Sequence, residues 1–239
     1  MRLLDLTLTT PIENVALDEA LLEEAEAADQ PAEVLRLWEP AELMVVVGRS
    51  SDMATEVRLE ACRQNNVSVV RRISGGAAVV GGPGCLMYAL VLSYTLRPAL
   101  RNLDAAHRFV LETLIRGLSR LAPGIQRRGT SDLAIGERKV SGNSVRLKRT
   151  HLLYHGTLLY DFEPALVARY LAEPPRQPDY REGRPHEAFV TNLPADAASL
   201  RRALASAWSA HKSTAVWPER RVRELAADKY RAADWSLRH

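Results

Sequence analysis

Residues 71–84 are the stretch that decides the fold of this chain, and they are Arg71-Arg72-Ile73-Ser74-Gly75-Gly76-Ala77-Ala78-Val79-Val80-Gly81-Gly82-Pro83-Gly84. Two arginines precede a glycine pair, a short apolar run follows, and three more glycines surround a proline. Glycine lets backbone N–H groups approach an anion closely, and arginine supplies a forked donor for phosphate or carboxylate. The stretch therefore predicts a tight hairpin that holds an anionic ligand. The alternative is a glycine-rich β-turn with two solvated arginines.

The stretch matches neither of the common nucleotide-binding loops. A P-loop requires lysine and then serine or threonine after its second glycine, whereas Gly81 is followed by Gly82. A Rossmann fingerprint opens a helix, but the residues around Val79 and Val80 have the character of a strand. Any nucleotide would have to be held in another way.

The composition is that of an ordinary globular protein with an excess of positive charge. The 239 residues are 46% apolar and 26% charged, with a formal net charge of +3. This charge suits an anionic ligand or an acidic partner and is too small to indicate nucleic acid. Cys62 and Cys85 are the only cysteines, which excludes a disulfide framework or a thiolate zinc site. Without an apolar leader or a run of about 20 apolar residues, we expect a cytoplasmic protein with no membrane partner.

Hydrophobic periodicity predicts alternating strands and helices along the chain. Strands are expected at 2–8, 34–38, 43–47, 67–70, 86–96, 133–135, 139–141 and 152–159, with a hairpin turn at Gly136-Glu137. Helices are expected at 55–66, 103–121, 165–171, 199–211 and 220–231, with a loop rich in proline and arginine at 173–185. The strands cluster before residue 160 and no linker is evident. These features predict an α+β fold with a mixed or mostly antiparallel sheet flanked by helices, in a single domain over 1–239.

The first helix is expected from Val15 to about Ala28, with Asn14 as its N-cap. Apolar residues recur on one face of this helix. Its many carboxylates are expected to form a solvated acidic face: Asp18, Glu19, Glu23, Glu24 and Glu26.

A second group of candidate functional residues lies around Lys139. A lysine within a strand beside small residues can point into a pocket and stabilise a phosphate or a developing oxyanion. The alternative is a solvated lysine at a strand edge. Asp132 would hold Mg²⁺ on a nucleotide phosphate, or would only cap a turn.

A third group is centred on His155. Its spacing of four from His151 would suit zinc on a helix, but on a strand it separates the two residues by roughly 13 Å. His155 would therefore orient a ligand, act as a base, or be a satisfied core residue.

Taken in order, these motifs resemble the catalytic domain of the lipoate–protein ligase A family, in the biotin/lipoate protein ligase superfamily. The resemblance rests on residues 71–79, on Asp132-Leu133 followed by Lys139-Val140-Ser141-Gly142, and on residues 155–159. Flanking segments agree as well: Asn14–Leu21, Val45–Arg49, Thr191–Leu193, Lys229-Tyr230 and Asp234-Trp235. The resemblance covers nearly the whole chain and implies a class II biotin/lipoate ligase-like catalytic domain.

The resemblance implies an ATP- and Mg²⁺-dependent ligase that converts lipoate or octanoate to its adenylate. The acyl group would then pass to a lysine of an acceptor domain of the E2 or H-protein type. Lys139 would be the catalytic residue at the acyl carbonyl and the α-phosphate, and Asp132 would lie near the phosphates or Mg²⁺. Nucleotide and adenylate contacts would come from Arg72, Ser74, Gly75, Gly76, Ala77, Ala78, Val79, Ser141, Gly142, His155, Gly156 and Thr157. The lipoyl pocket would be lined by Arg49, Val79, Leu86 and Tyr88.

The chain departs from the family pattern at several positions. Ala77 replaces the third of three consecutive glycines, Gly81-Gly82 replaces a His-Asp pair, and Gly84-Cys85 replaces a Gly-Asn pair. The chain also ends near the boundary of the catalytic domain, so no C-terminal accessory domain is expected. Adenylation would then depend on a separate accessory subunit.

These departures leave other functions open. A cysteine-dependent octanoyl or lipoyl transferase would need no ATP, but the position of its nucleophile falls in Gly129–Ser131, which lacks cysteine. Cys85 would replace that nucleophile if His155 activated it, or would be a small buried apolar residue. A non-catalytic protein that binds lipoyl-adenylate and a biotin ligase are the remaining alternatives.

Overall fold

The computed structural model describes residues 1–174 and 177–236. Its strands are β1 (Arg2–Asp5), β2 (Val34–Trp38), β3 (Met44–Val47), β4 (Ser68–Arg71), β5 (Val79–Gly81), β6 (Cys85–Ser93), β7 (Ile125–Arg128), β8 (Asp132–Ile135), β9 (Arg138–Leu147), β10 (His151–Leu159) and β11 (Lys212–Ser213). Its α-helices are α1 (Pro11–Ala27), α2 (Met53–Glu56), α3 (Leu59–Gln64), α4 (Leu103–Leu118), α5 (Ala165–Tyr170), α6 (His186–Phe189), α7 (Ala197–Ala207), α8 (Glu219–Leu225) and α9 (Ala233–Ser236). A π-helical turn, Ala226–Tyr230, follows α8.

Within the described residues, a large mixed sheet has the strand order β11-β1-β2-β6-β10-β9-β8-β7. The β1 strand is parallel to both β11 and β2, and the other pairs are antiparallel. The class is therefore α+β with a mixed sheet flanked by helices, as the sequence predicts.

The glycine stretch does not form the predicted tight hairpin. Its flanking strands β4 and β5 both pair with β3, in the order β4-β3-β5, and β4 is parallel to β3. Residues 72–78 must therefore cross the end of β3 instead of turning back beside β4. This crossing brings the glycines next to β9 and β10 of the large sheet.

Both faces of the large sheet are covered, which explains the continuous apolar run of β6. Cys85, Met87, Ala89 and Val91 pack toward α1 and the small sheet, while the alternate residues of the strand pack toward α4 and α7. Side chains of a strand alternate between faces, so a strand that is buried on both faces is apolar throughout.

Helix α1 begins earlier than predicted and is more deeply buried. Thr10, not Asn14, is the N-cap, because Thr10 and Glu13 form a reciprocal capping box and Pro11 occupies the first turn. Asn14 is buried and binds the backbone of Leu8 and Thr10. The prediction of a solvated acidic face is wrong for Asp18 and Glu19, which are both 5% exposed.

The remaining acidic residues of α1 are half-buried and paired. Glu23 and Glu24 form ion pairs with Arg221 and Arg2, and Glu26 accepts backbone N–H groups of residues 149–151. Burial alone would raise the pKa of Glu26, but the hydrogen bond from the Thr150 hydroxyl and these backbone hydrogen bonds together lower it. The helix is therefore a central element and not a surface one.

Several other boundaries differ from the predictions. The helix expected over 55–66 is broken into α2 and α3, since Val57 forms a β-bridge with Leu171. Strands β7 and β11 were not predicted. The loop expected over 173–185 includes positions 175 and 176, which lie outside the described residues. None of the helices in the described part of the chain is long and apolar enough to cross a membrane.

Candidate active site

A cavity of about 360 Å³ lies between the glycine stretch, β9 and β10. Apolar side chains from five elements form much of its wall: Val15, Trp38, Val46, Val79, Met87 and Tyr88. The polar side of the cavity is formed by Asp132, Lys139, Asn143 and His155. An apolar chamber with a few converging polar groups is typical of a small-molecule site.

A second cavity of about 140 Å³ adjoins the first. The two share wall residues, namely Ala77, Ala78, Val79, Lys139, Gly142, Thr157 and Pro178. The walls of the second cavity also include Arg181, His186 and Phe189. Lys139 therefore stands at the junction of the two cavities.

Lys139 is held in place by an acidic neighbour. Its Nζ lies 2.8 Å from Oδ1 of Asp132, and the hydroxyl of Tyr180 donates to Oδ2 of the same carboxylate at 2.8 Å. Burial and the Asp132 charge raise the pKa of Tyr180, so this hydroxyl stays a donor. Gly142 leaves room for the lysine, because a Cβ there would lie only 3.0 Å from Nζ. Asp132 does more than cap a turn.

Arg72 binds the glycine stretch from inside. Its guanidinium donates to the carbonyls of Val46, Gly75 and Ala77 and to Oγ of Ser74, at 2.5 to 3.1 Å. Burial lowers the pKa of Arg72 to about 10, so the side chain remains charged at neutral pH. Its observed contacts shape the loop, although the residue also borders the main cavity.

Glu56 is a site residue that the sequence analysis missed. Its Oε2 accepts the backbone N–H of Ala78 at 2.7 Å, and its side chain borders the second cavity. One backbone N–H of the glycine stretch, that of Ala78, thus donates to a carboxylate of the protein itself. Only the fold brings α2 against this stretch, so no local pattern around Glu56 would have identified it.

A buried polar chain connects α1 to the glycine stretch. The Oγ of Ser74 lies 2.5 Å from Nε2 of His155, whose Nδ1 lies 3.1 Å from Oδ2 of Asp18. Ser74 Oγ also accepts from Arg72 Nε at 3.1 Å, so the chain continues to the arginine inside the glycine stretch. Oδ1 of Asp18 binds Arg36 at 2.7 Å. Asp18 and Arg36, both unpredicted, therefore orient His155.

The structure brings most of the predicted site residues together, but not all. The main cavity includes Arg72, Gly76, Ala77, Ala78, Val79, Tyr88, Asp132, Lys139, Gly142, His155, Gly156 and Thr157, and Ser141 borders the second cavity. Ser74 lies behind this wall at 1% exposure, and Gly75 faces a groove on the outer side.

Two residues predicted for the lipoyl pocket lie elsewhere. Leu86 is fully buried in the core on the α4 side of the large sheet and borders neither cavity. Arg49 is exposed, follows the end of β3 and borders the outer groove.

Cys85 is also unsuited to the nucleophilic role considered above. It is fully buried, its thiol contacts the sulfur of Met87, and His155 is engaged by Ser74 and Asp18 instead. Burial raises the pKa of the Cys85 thiol to about 12. The thiol is therefore protonated at neutral pH.

The mixed sheet, the crossing glycine stretch and the lysine between two cavities define a biotin/lipoate ligase-like catalytic domain. Residues 10–206 match the family described as the lipoyl protein ligase A/B catalytic domain. The chain belongs to this family.

Curated relatives agree with this assignment. A putative lipoate-protein ligase A from Aeropyrum pernix is 36% identical over 162 residues, which cover 67% of this chain and 58% of the relative. A probable lipoate-protein ligase A from Mycoplasma pneumoniae is 31% identical over 161 residues, covering 67% of this chain and 46% of the relative. The matched region thus spans about half the length of these relatives.

Solved structures share the fold. A bi-partite lipoate protein ligase from Thermoplasma acidophilum, described with its E2 lipoyl domain, superposes with a TM-score of 0.84 at 21% identity, over 99% of this chain and 95% of that one. A lipoate-protein ligase A bound with ATP gives a TM-score of 0.80 at 22% identity, over 99% of this chain and 98% of that one.

Proposed function

We propose that this chain is a lipoate–protein ligase that activates lipoate or octanoate with ATP and passes the acyl group to a lysine of an acceptor domain. The position of Lys139 carries the proposal, because its ammonium borders both cavities. Carboxylate attack on the α-phosphate and amine attack on the acyl-adenylate both build negative charge near one point. A fixed cation at that point stabilises both transition states.

The shapes of the cavities suggest how the substrates divide between them. The larger cavity has an apolar wall that includes Trp38, Met87 and Tyr88, which suits an acyl chain. The nucleotide would extend from Lys139 toward the smaller cavity, whose walls include Phe189 and an Arg181 side chain that also pairs with Glu173. The glycine stretch forms the wall between them. The phosphates would face the backbone of Ala77, since the N–H of Ala78 already donates to Glu56.

Asp132 is the residue we assign to Mg²⁺. No cluster of three or more ligating side chains occurs in residues 1–174 and 177–236, so the nucleotide phosphates would have to supply other ligands. This arrangement fits Mg²⁺, which usually binds one or two carboxylates together with substrate phosphates and water. The ion would neutralise phosphate charge beside Lys139.

Two partners follow from the same proposal. The acceptor would be a lipoyl domain of the E2 or H-protein type, in line with the E2 lipoyl domain described with the Thermoplasma ligase. That ligase is described as bi-partite, and this chain superposes on 95% of the matched chain. We therefore expect a separate accessory subunit to support adenylation here.

A transferase that uses Cys85 is not favoured. A nucleophilic cysteine needs a thiolate and access to the acyl donor. Cys85 has a raised pKa and no exposed surface, and it is absent from the walls of both cavities.

The test is to incubate the protein with ATP, Mg²⁺, lipoate and an apo lipoyl domain, with and without the accessory subunit. We expect AMP and an increase in the mass of the acceptor. Lys139→Ala should lower both half-reactions by at least about 100-fold, as expected for loss of a preorganised charge-stabilising group. Cys85→Ser is the matched control and should retain activity.

Two results would refute the proposal. Acceptor modification from an octanoyl carrier protein without ATP, lost in Cys85→Ser, would establish the transferase. Tight binding of lipoyl-adenylate without turnover, with or without the accessory subunit, would instead establish a binding protein.

A further inference from the structure

A groove of about 410 Å³ lies on the outer side of the glycine stretch, away from the two cavities. Arg49 and Arg146 both border it, together with the apolar residues Ile73, Val145 and Leu147. Neither arginine side chain has a hydrogen-bond or ion-pair partner in the described part of the chain. Partial burial and the nearby Arg49 lower the pKa of Arg146, so the two cations repel each other. An anionic partner would relieve this repulsion.

Glu19, the carboxylate whose charge acts on Arg146, already binds other side chains. Glu19 raises the pKa of Arg146, but its oxygens bind Nζ of Lys229 and the hydroxyl of Tyr230, at 2.7 to 2.8 Å. The positive charge of the groove is therefore not neutralised from within the described residues.

The backbone on the Arg49 side of the groove is held by hydrogen bonds. Arg71 is buried and donates to the carbonyls of Gly48 and Ser51 at 2.7 and 2.8 Å, which fixes the segment that carries Arg49. The N–H of Arg49 donates to the carbonyl of Ser74 at 2.8 Å. The fold therefore fixes where the Arg49 side chain leaves the backbone.

The sheet next to the groove has an open edge. β9 pairs with β8 only over residues 138–142, whereas residues 143–147 pair with β10 on the other side. Among the described residues, no strand therefore covers the β8 side of β9 from Ser144 to Leu147. An open edge can accept an extended segment of another protein.

This groove and the main cavity share a thin wall. Gly75 and Val145 border the groove, while their neighbours Gly76 and Ser144 border the cavity. The hydroxyl of Ser144 donates to the carbonyl of Gly75 at 2.7 Å and joins the two segments. A protein bound in the groove would stand next to the acyl-adenylate.

We propose that the groove bordered by Arg49 and Arg146 docks the acceptor domain, through an extended segment that carries carboxylates beside the acceptor lysine. The proposal rests on the ligase function argued above. Carboxylates of the acceptor pair with the two arginines, and its apolar side chains cover Ile73, Val145 and Leu147. Docking determines the rate at which the acceptor lysine reaches the acyl-adenylate, whereas formation of the adenylate is independent of docking.

The test uses the double variant Arg49→Glu/Arg146→Glu. The control is Arg120→Glu/Arg202→Glu, which places the same charge change on two exposed arginines, one just after α4 and one in α7. Direct binding is measured by calorimetry with an apo E2-type lipoyl domain whose acceptor lysine is changed to arginine. Transfer is measured from preformed lipoyl-adenylate, and adenylate formation is measured separately.

We expect the double variant to weaken acceptor binding, and to raise the acceptor KM, by about tenfold or more at low salt, with a smaller effect at high salt. Adenylate formation should stay within about twofold of the wild type. Changing the acceptor carboxylates beside the lysine to lysine should weaken binding to the wild type and restore binding to the double variant.

Equal effects of the groove and control variants would overturn the docking proposal, as would a parallel loss of adenylate formation. Failure of the wild type to produce AMP with the accessory subunit present would refute the proposed function instead. In that case the binding measurement still decides whether the acceptor uses this groove.

Discussion

Replacement of Arg36 by methionine tests the buried chain that supports the site. Arg36 is fully buried, and its guanidinium donates to Oδ1 of Asp18, to the carbonyl and side chain of Asn14, and to the carbonyl of Leu6. Burial lowers the pKa of Arg36, and the Asp18 charge opposes this effect. Methionine fills similar space but leaves the Asp18 carboxylate without its cation.

Loss of one partner from a buried ion pair costs about 3 to 5 kcal/mol. For a domain of this size each kcal/mol lowers the Tm by about 2 to 4 °C, so Arg36→Met should melt roughly 10 °C below the wild type. Urea unfolding at pH 7 gives the free energy directly. The control is Arg220→Met, whose side chain is 94% exposed and which should change the stability by less than about 0.5 kcal/mol.

The double variant Asp18→Asn/Arg36→Met separates the buried charge from the loss of packing. Removing the stranded carboxylate should restore at least about 1 kcal/mol relative to Arg36→Met, because coupled residues in one network are not additive. The reasoning is refuted if Arg36→Met costs less than about 1 kcal/mol, or if the second substitution adds to the loss.

Two further predictions concern the surroundings of the glycine stretch. Cys85, with its pKa raised to about 12, should resist iodoacetamide in the native protein and react only after unfolding; rapid alkylation of the folded protein at pH 7.5, followed by mass spectrometry, would contradict this. Gly48→Ala should destabilise the fold by about 1 to 3 kcal/mol, because a Cβ there would lie 1.9 Å from the carbonyl oxygen of Gly76. Gly75→Ala is its control, since a Cβ at Gly75 meets no atom within 4 Å; equal melting temperatures for the two variants would show that the close contact at Gly48 is not required.

Local patterns in the sequence were sufficient for most elements of the large sheet. The apolar run of β6 and the Gly136-Glu137 turn follow from side-chain alternation and turn chemistry, and both are confirmed. The start of α1 was also readable, because Thr10 and Glu13 have the spacing of a capping box and Pro11 follows the cap. The prediction of Asn14 as the N-cap missed this capping box.

Other features depend on contacts that no local pattern reports. The helix expected over 55–66 is interrupted because Val57 bridges to a residue in the second half of the chain. The glycine stretch crosses between strands because β4 and β5 lie on opposite sides of β3. Pairing between distant strands decides both outcomes.

The sequence alone determined the family, the class of fold and the central place of Lys139, since ordered motifs and strand patterns are properties of short segments. Tertiary structure decided which polar groups surround the glycine stretch. Asp18 meets His155 across 137 positions, and His155 meets Ser74 across 81. In the sequence, Asp18 on α1 cannot be distinguished from a solvated surface carboxylate. The fold buries it, and a buried carboxylate must be paired. The position of Arg49 also depends on the fold, because only the folded chain shows that this charged residue lies at the outer groove and not in the cavity.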